Sequence, residues 1–148
     1  MQSSHSKARY TAGLNDFSYC ASLHVSHPCV DPDVISRKLS LQPEAAHRVG
    51  SPRMTPKGTP LTGTWDSAYW RAGLVVYDGD DTPTFLARLV NELAPAKDFL
   101  NQLADEGGET ECFIGIFADR LCDQLFPPKL LSSLGQLAIG VRLDYYGP

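Results

Sequence analysis

Residues 82–108, TPTFLARLVNELAPAKDFLNQLADEGG, decide how the chain is divided. Phe85, Leu86, Leu89, Val90 and Leu93 recur at helical spacing on one face, with Arg88, Asn91 and Glu92 on the other, so the segment reads as an amphipathic helix. Thr82 can cap its first turn, and Pro83 suits the first helical position, where a missing N–H costs nothing. Pro95 has no N–H and its ring crowds the carbonyl four residues back, which predicts a kink or stop near Ala94. A second helical piece over residues 96–104 then buries Phe99, Leu100 and Leu103, and Gly107 and Gly108 close it.

On each side of this stretch lies a strand–helix–strand pattern. Residues 17–26, FSYCASLHVS, alternate: Phe17, Tyr19, Ala21, Leu23 and Val25 point to a buried face, and Ser18, Cys20, Ser22, His24 and Ser26 to a polar one. Asp31, Pro32 and Asp33 open a short helix that buries Val34, Ile35 and Leu39. Residues 69–77, YWRAGLVVY, form the second strand, ending at a turn rich in aspartate. After the central helix, residues 111–117, ECFIGIF, are apolar on both faces, as expected inside a sheet. Pro127 and Pro128 start a helix carrying Leu130, Leu131 and Leu134 and stopped by Gly135. A last strand over residues 137–146 buries Leu137, Ile139, Val141, Leu143 and Tyr145, and turns Ala138, Gly140, Arg142 and Asp144 the other way. The order predicts an α+β fold, a ferredoxin-like four-stranded antiparallel sheet built from two strand–helix–strand units, with a long kinked helix between them that covers part of the second sheet face.

The chain has 148 residues, enough for one domain with a single core. Residues 1–16 read as a flexible polar tail with no secretory core, and residues 17–146 as the domain, which points to a cytoplasmic protein. No apolar run approaches the roughly 20 residues needed to span a bilayer. Cys20, Cys29, Cys112 and Cys122 lack paired spacing and are expected as free thiols. A net charge of −4 argues against sequence-independent binding to nucleic acid, which needs a dominant positive surface. No cofactor is expected.

The helix opening VDPDVISRKLSLQP followed by HRVG, the strand YWRAGLVVY, the proline-centred LVNELAPAKDFLNQL and the ending LSSLGQLAIGVRLDYY resemble the bacterial family known only as domain of unknown function 4279. The resemblance covers residues 17–146 and implies no established activity. Ser40 departs from it, since a glycine is expected after the first helix. Some small acidic bacterial domains of this kind resemble immunity proteins that neutralise a partner toxin, which makes a toxin-like protein partner the expectation by class.

Two groups of residues are candidate sites. His24, Arg142 and Asp144 lie on the polar faces of the first and last strands, and share one surface if those strands are neighbours; Arg71 joins them if Trp70 faces the helices. Arginine there can recognise a carboxylate or phosphate bidentately; the plainer alternative is a solvated sheet face. The second group sits at the ends of residues 45–64, which lose periodicity, hold six glycines and prolines from Gly50 to Gly63, and read as a long irregular loop. That loop is basic in an acidic chain, and its His47 and Arg48, with Trp65 and Trp70, are residue types found at binding hot spots. The plainer alternative places Trp70 in the core. His24, His27 and Cys29 have no second ligand cluster to complete a zinc site, and Pro83 stands where a calcium loop starting at Asp78 needs glycine.

No nucleophile elbow, phosphate-binding glycine loop or zinc-protease motif is present. The favoured expectation is therefore a non-enzymatic protein-binding domain, immunity-like, using the basic loop and the polar sheet face as a monomer or weak dimer. Two alternatives stay open. One is a small-molecule domain or enzyme that takes an anionic ligand in a pocket with shifted histidines; the other is an architectural domain that pairs through an edge strand.

Overall fold

The computed structural model describes residues 8–12 and 15–147. Residues 1–7 of the expected tail lie outside the described residues, whereas Ala8–Ala12 form a strand, β1, that pairs with the start of β2, Asn15–His27. The chain continues through α1, Pro32–Leu39, and β3, Ala45–His47. A hairpin follows, of β4, Pro52–Met54, and β5, Pro60–Thr64. Next come β6, Ala68–Gly73, and α2, Thr82–Leu93, joined through the single 3-10 turn Ala94–Ala96 to α3, Lys97–Asp105. β7, Glu109–Phe117, α4, Pro128–Gln136, and β8, Ile139–Tyr146, end the fold.

The main sheet runs β3-β6-β2-β7-β8, with β1 alongside β2. β6 and β7 flank β2 antiparallel, β3 is antiparallel to β6, and β8 is parallel to β7. It follows that β2 and β3 are parallel with β6 inserted between them, and that β6 and β7 are parallel with β2 inserted. The protein is thus α+β with a mixed sheet, and the expected four-stranded antiparallel sheet is corrected in three respects. The long kinked helix is itself the crossover from β6 to β7 rather than a spacer between two units. The last helix carries the chain back to lay β8 parallel to β7, as a strand–helix–strand unit of adjacent strands requires. The expected irregular loop contains β3 and a hairpin, invisible to periodicity because β3 has three residues and both hairpin strands are exposed.

Among the described residues all four α-helices bury on one face. Phe17, Tyr19, Leu23 and Val25 of β2, Trp70 and Ala72 of β6, Cys112, Ile114 and Ile116 of β7 and Ile139 of β8 form one core with Ile35, Leu39, Phe85, Leu86, Leu89, Leu93, Leu100, Leu103, Leu130 and Leu134. The kinked helix therefore does not cover the second face. Asp81 rather than Thr82 caps α2, accepting from the amide of Thr84 at 2.9 Å. The buried hydroxyl of Thr82 instead donates to the side-chain carbonyl of Gln124. Pro95 converts the helix to a 3-10 turn and bends it, so that both Phe85 and Leu100 meet the sheet. Tyr19 donates its hydroxyl to the carbonyl of Asp80 at 2.9 Å, fastening the turn before α2 to the centre of the sheet.

The expected burial of β8 holds only at its start. Ile139 is buried, but Val141, Leu143 and Tyr145 are exposed, although Cys112, Ile114 and Ile116 beside them on β7 are buried: β8 is the edge strand, and cover is lost across the sheet rather than along it.

Ser40 ends α1 in the left-handed region, φ 56° and ψ 42°, with its amide on the carbonyl of Ser36. A glycine meets no Cβ penalty there. Ser40→Gly is expected to raise stability by about 0.5–1 kcal/mol in urea unfolding, the αL penalty less the added flexibility of the unfolded chain. Gly108→Ala is expected to lower it by about 1–3 kcal/mol, since a Cβ there lies 2.8 Å from both the His27 ring and the Leu103 carbonyl.

Candidate functional site

The face that the helices leave open is built by strand alternation. Since Trp70 and Ala72 point into the core, Tyr69 and Arg71 point out; since Leu23 and Val25 point in, Ser22, His24 and Ser26 point out. Register then places Arg71 opposite His24, His24 opposite Glu111, and His47 opposite Tyr69. Phe113 of β7 lies opposite Arg142 of β8.

A row of rings crosses the sheet. Trp65 stacks on His47 with centroids 3.8 Å apart and planes within 8°. His47 lies 5.7 Å from Tyr69, and Tyr69 meets His24 edge-on at 6.1 Å. His24 stacks on Phe113 at 5.6 Å. Arg53, from the hairpin, places its guanidinium 5.5 Å from the Trp65 ring, within cation–π range. Half-buried aromatic surface of this kind is costly to leave against water and favourable to cover.

His24 is the centre of the face. Its Nε2 is 2.7 Å from the hydroxyl of Ser22 and its Nδ1 3.2 Å from the hydroxyl of Tyr69, so both ring nitrogens are engaged by neutral groups. Burial, then the Arg71 guanidinium, pushes its pKa below the ordinary histidine value, over the opposing pull of Glu111. Burial does the same at His47, over a backbone hydrogen bond at Ser67. Both rings are thereby held neutral near pH 7.

Charged groups flank the row. Arg142 clasps Glu111 with two parallel bonds, Nε to Oε1 at 2.8 Å and Nη2 to Oε2 at 2.9 Å, and that pairing holds the Glu111 carboxyl below its usual range. Arg71 is less committed. Its Nε lies 3.8 Å from Glu44 Oε1, beyond hydrogen-bond reach, and has no hydrogen-bond partner among the described residues. Two hollows meet at His24. One of about 360 Å³ is lined by Ser22, His24, Glu44, Arg71, Leu74 and Phe113 among others; the second, of about 250 Å³, by His24, Ser26, Tyr69, Glu109, Glu111 and Arg142.

The residues singled out in the sequence are distributed unevenly. His24, Arg71, His47 and Trp65 come together on the open face. Arg142 shares it through Glu111, although β2 and β8 are not neighbours as the grouping had supposed, because β7 stands between them. Asp144 is farther along, opposite Gly115, with the Tyr146 hydroxyl at 3.5 Å. Arg48 turns away to Asp31 at 3.0 Å and Asp33 at 2.7 Å beside the start of α1. Trp70 is fully buried and donates its ring N–H to Ser36 Oγ at 3.0 Å. His27 is a structural lock, its Nδ1 accepting from the amides of Cys29 and Val30 while Nε2 lies 2.9 Å from Glu106. Tyr69, Phe113, Glu111 and Glu44 had not been singled out. Phe113 carried a signal, as the large aromatic on the second face of a strand apolar on both sides.

The arrangement defines an α+β domain with one sheet face covered by helices and one aromatic, charge-flanked face without them. The chain belongs to the family described as Domain of unknown function (DUF4279), whose model matches residues 17–148. No curated protein and no solved structure matches it. Among the described residues no helix is long and apolar enough to cross a membrane.

The lowered histidine pKa values have a definite consequence for stability. The unfolded chain takes up protons near the ordinary value of about 6.5, and the folded chain only below it. The stability held by neutral His24 and His47 is therefore complete above about 6.5 and falls as pH drops from there to the folded values. Titration of the ring resonances by NMR is expected to give midpoints below about 6.5 for both residues. The fall in unfolding free energy through that window should shrink in a His24→Gln/His47→Gln variant.

Proposed function

We propose that this chain is a non-enzymatic bacterial protein-binding domain, cytoplasmic and immunity-like, that holds a partner protein on the open face of its sheet. One observation carries this reading: rings from four strands and the hairpin edge, Trp65, His47, Tyr69, His24 and Phe113, form one row on the face without helices. An aromatic centre with arginines at its margin is the composition that binding hot spots favour. Arg71 and Arg142 supply the polar margin, and Arg71, whose Nε has no hydrogen-bond partner among the described residues, is the group best placed to receive a partner's carboxylate. We also read β3, β6, β2 and β7, with α1 and the α2–α3 pair as crossovers, as a ferredoxin-like core to which β8 has been added; that arrangement places every crossover on one side.

A second reading, a small anionic ligand, is favoured by the hollow of about 360 Å³ beside His24 and Arg71. In size it reaches the lower range of small-molecule sites, and its polar groups converge. The two readings separate in one experiment. Wild type, Arg71→Ala, Phe113→Ala and Arg48→Ala proteins are used as bait in extracts of the native host, and the same four are titrated with acetate and inorganic phosphate while the His24 ring is followed by NMR. The protein-partner reading expects one specific protein retained by wild type and Arg48→Ala, and lost at least tenfold with Arg71→Ala and Phe113→Ala. Anion-dependent upward movement of the His24 midpoint, abolished by Arg71→Ala and without any retained protein, would replace it by the small-ligand reading. Retention lost only with Arg48→Ala would move the site off the sheet and sink both.

A further inference from the structure

β8 is the outermost strand beyond β7, and among the described residues nothing pairs with its outer edge. The direction of its backbone groups is fixed by β7. The amide of Ala118 donates to the carbonyl of Tyr146 at 3.3 Å, so Tyr146 and, by alternation, Asp144, Arg142 and Gly140 bond inward to β7. Val141, Leu143 and Tyr145 consequently present their N–H and C=O groups outward. The same three residues carry the side chains that alternation destines for the core face, yet they are 36, 46 and 57% exposed. Beside them α4, which packs on β8, leaves Leu131 53% exposed. The outer edge is apolar on one face and contains no proline or lysine, two of the devices by which sheets discourage pairing.

The polar face of the strand identifies what covers the edge. In IGVRLDYY one cation and one anion, Arg142 and Asp144, stand two residues apart around Leu143. When such a strand meets its own copy antiparallel about a two-fold axis at Leu143, Arg142 lies opposite Asp144 of the copy, and the reverse pair forms across the axis. An axis at Arg142 or Asp144 would instead set like charges against each other, which is unfavourable. The axis at Leu143 also sets Val141 against Tyr145 and Leu143 against itself, burying the exposed apolar stripe, and places Tyr146 across from Gly140. Val141, Leu143 and Tyr145 of each copy then find hydrogen-bond partners. The strand is self-complementary in charge, in apolar surface and in backbone direction at this one register.

We propose that β8 pairs antiparallel with β8 of a second copy about a two-fold axis at Leu143, joining two sheets into one with all helices on one side. β1 does not compete for this edge, because it lies on the β6 side of β2, across β2 and β7 from β8. The pairing uses the outer edge of β8, and of the open-face groups it involves only Arg142, which keeps its clasp on Glu111.

The test is analytical ultracentrifugation of the purified chain across a wide concentration range, joined to site-specific cross-linking. Wild type is expected to sediment as a concentration-dependent dimer, and Asp144→Arg, which opposes Arg142 of the copy with a like charge, to raise the dissociation constant at least tenfold. In a Cys29→Ser background, Leu143→Cys is expected to form a disulfide-linked dimer under mild oxidation, since an axial residue faces itself at a Cα distance of about 5.5 Å, within disulfide range. Val141→Cys alone should not link, whereas Val141→Cys with Tyr145→Cys should. Circular dichroism of each variant establishes that it is folded. A wild-type chain that stays monomeric at every concentration overturns the proposal, as does a dimer indifferent to Asp144→Arg or one that links through Val141→Cys alone and not through Leu143→Cys.

Discussion

Every helix of this domain buries its apolar stripe against the same face of one sheet, and the rest of the molecule follows from that constraint. Trp70 shows its strength: it is fully buried, and its ring N–H is satisfied by Ser36 of α1, so β6 cannot slip by one residue without exposing an indole and orphaning a donor. The neighbours of Trp70 are thereby forced outward. Tyr69 and Arg71 stand on the open face because Trp70 and Ala72 cannot, and the same alternation brings His24 and Phe113 beside them. The candidate site is the complement of the core.

That face is electrostatically balanced rather than simply charged. Arg142 is neutralised by Glu111 in a two-bond clasp, Arg71 is only loosely opposed by Glu44, and His24 between them is kept neutral by burial and by Arg71. An incoming carboxylate would therefore meet one cation whose buried Nε has no hydrogen-bond partner among the described residues. Its approach would also favour the protonated ring of His24, which couples recognition there to pH. The rings on either side supply apolar area that needs no charge to be covered favourably.

The strands and helices with strong periodicity were legible in the sequence: the alternation of β2, the stripe of α2 and the break at Pro95 all read correctly because a buried face writes a period into the chain. β3 and the β4–β5 hairpin were not, since strands of three to five largely exposed residues carry no such period. Sheet order was also out of reach. Alternation says which face a residue occupies and nothing about which strand lies beside it, so His24 and Arg142 were rightly placed on one face and wrongly made neighbours, with β7 between them. Val141, Leu143 and Tyr145 alternate as core residues do, yet lie exposed, a conflict between pattern and burial that points to a covering partner. Ser40 is the opposite case: the glycine expected by resemblance corresponds to a real left-handed backbone position that serine occupies under strain.

The central claim is that the open face, not the helical layer, is the functional surface. Photo-cross-linking in native cells tests it directly, with a benzophenone side chain placed either at Tyr69 on the open face or at Glu92, which is exposed on α2. The account predicts one discrete adduct from the Tyr69 position and none from Glu92. An adduct formed from Glu92 and absent from Tyr69 would contradict it.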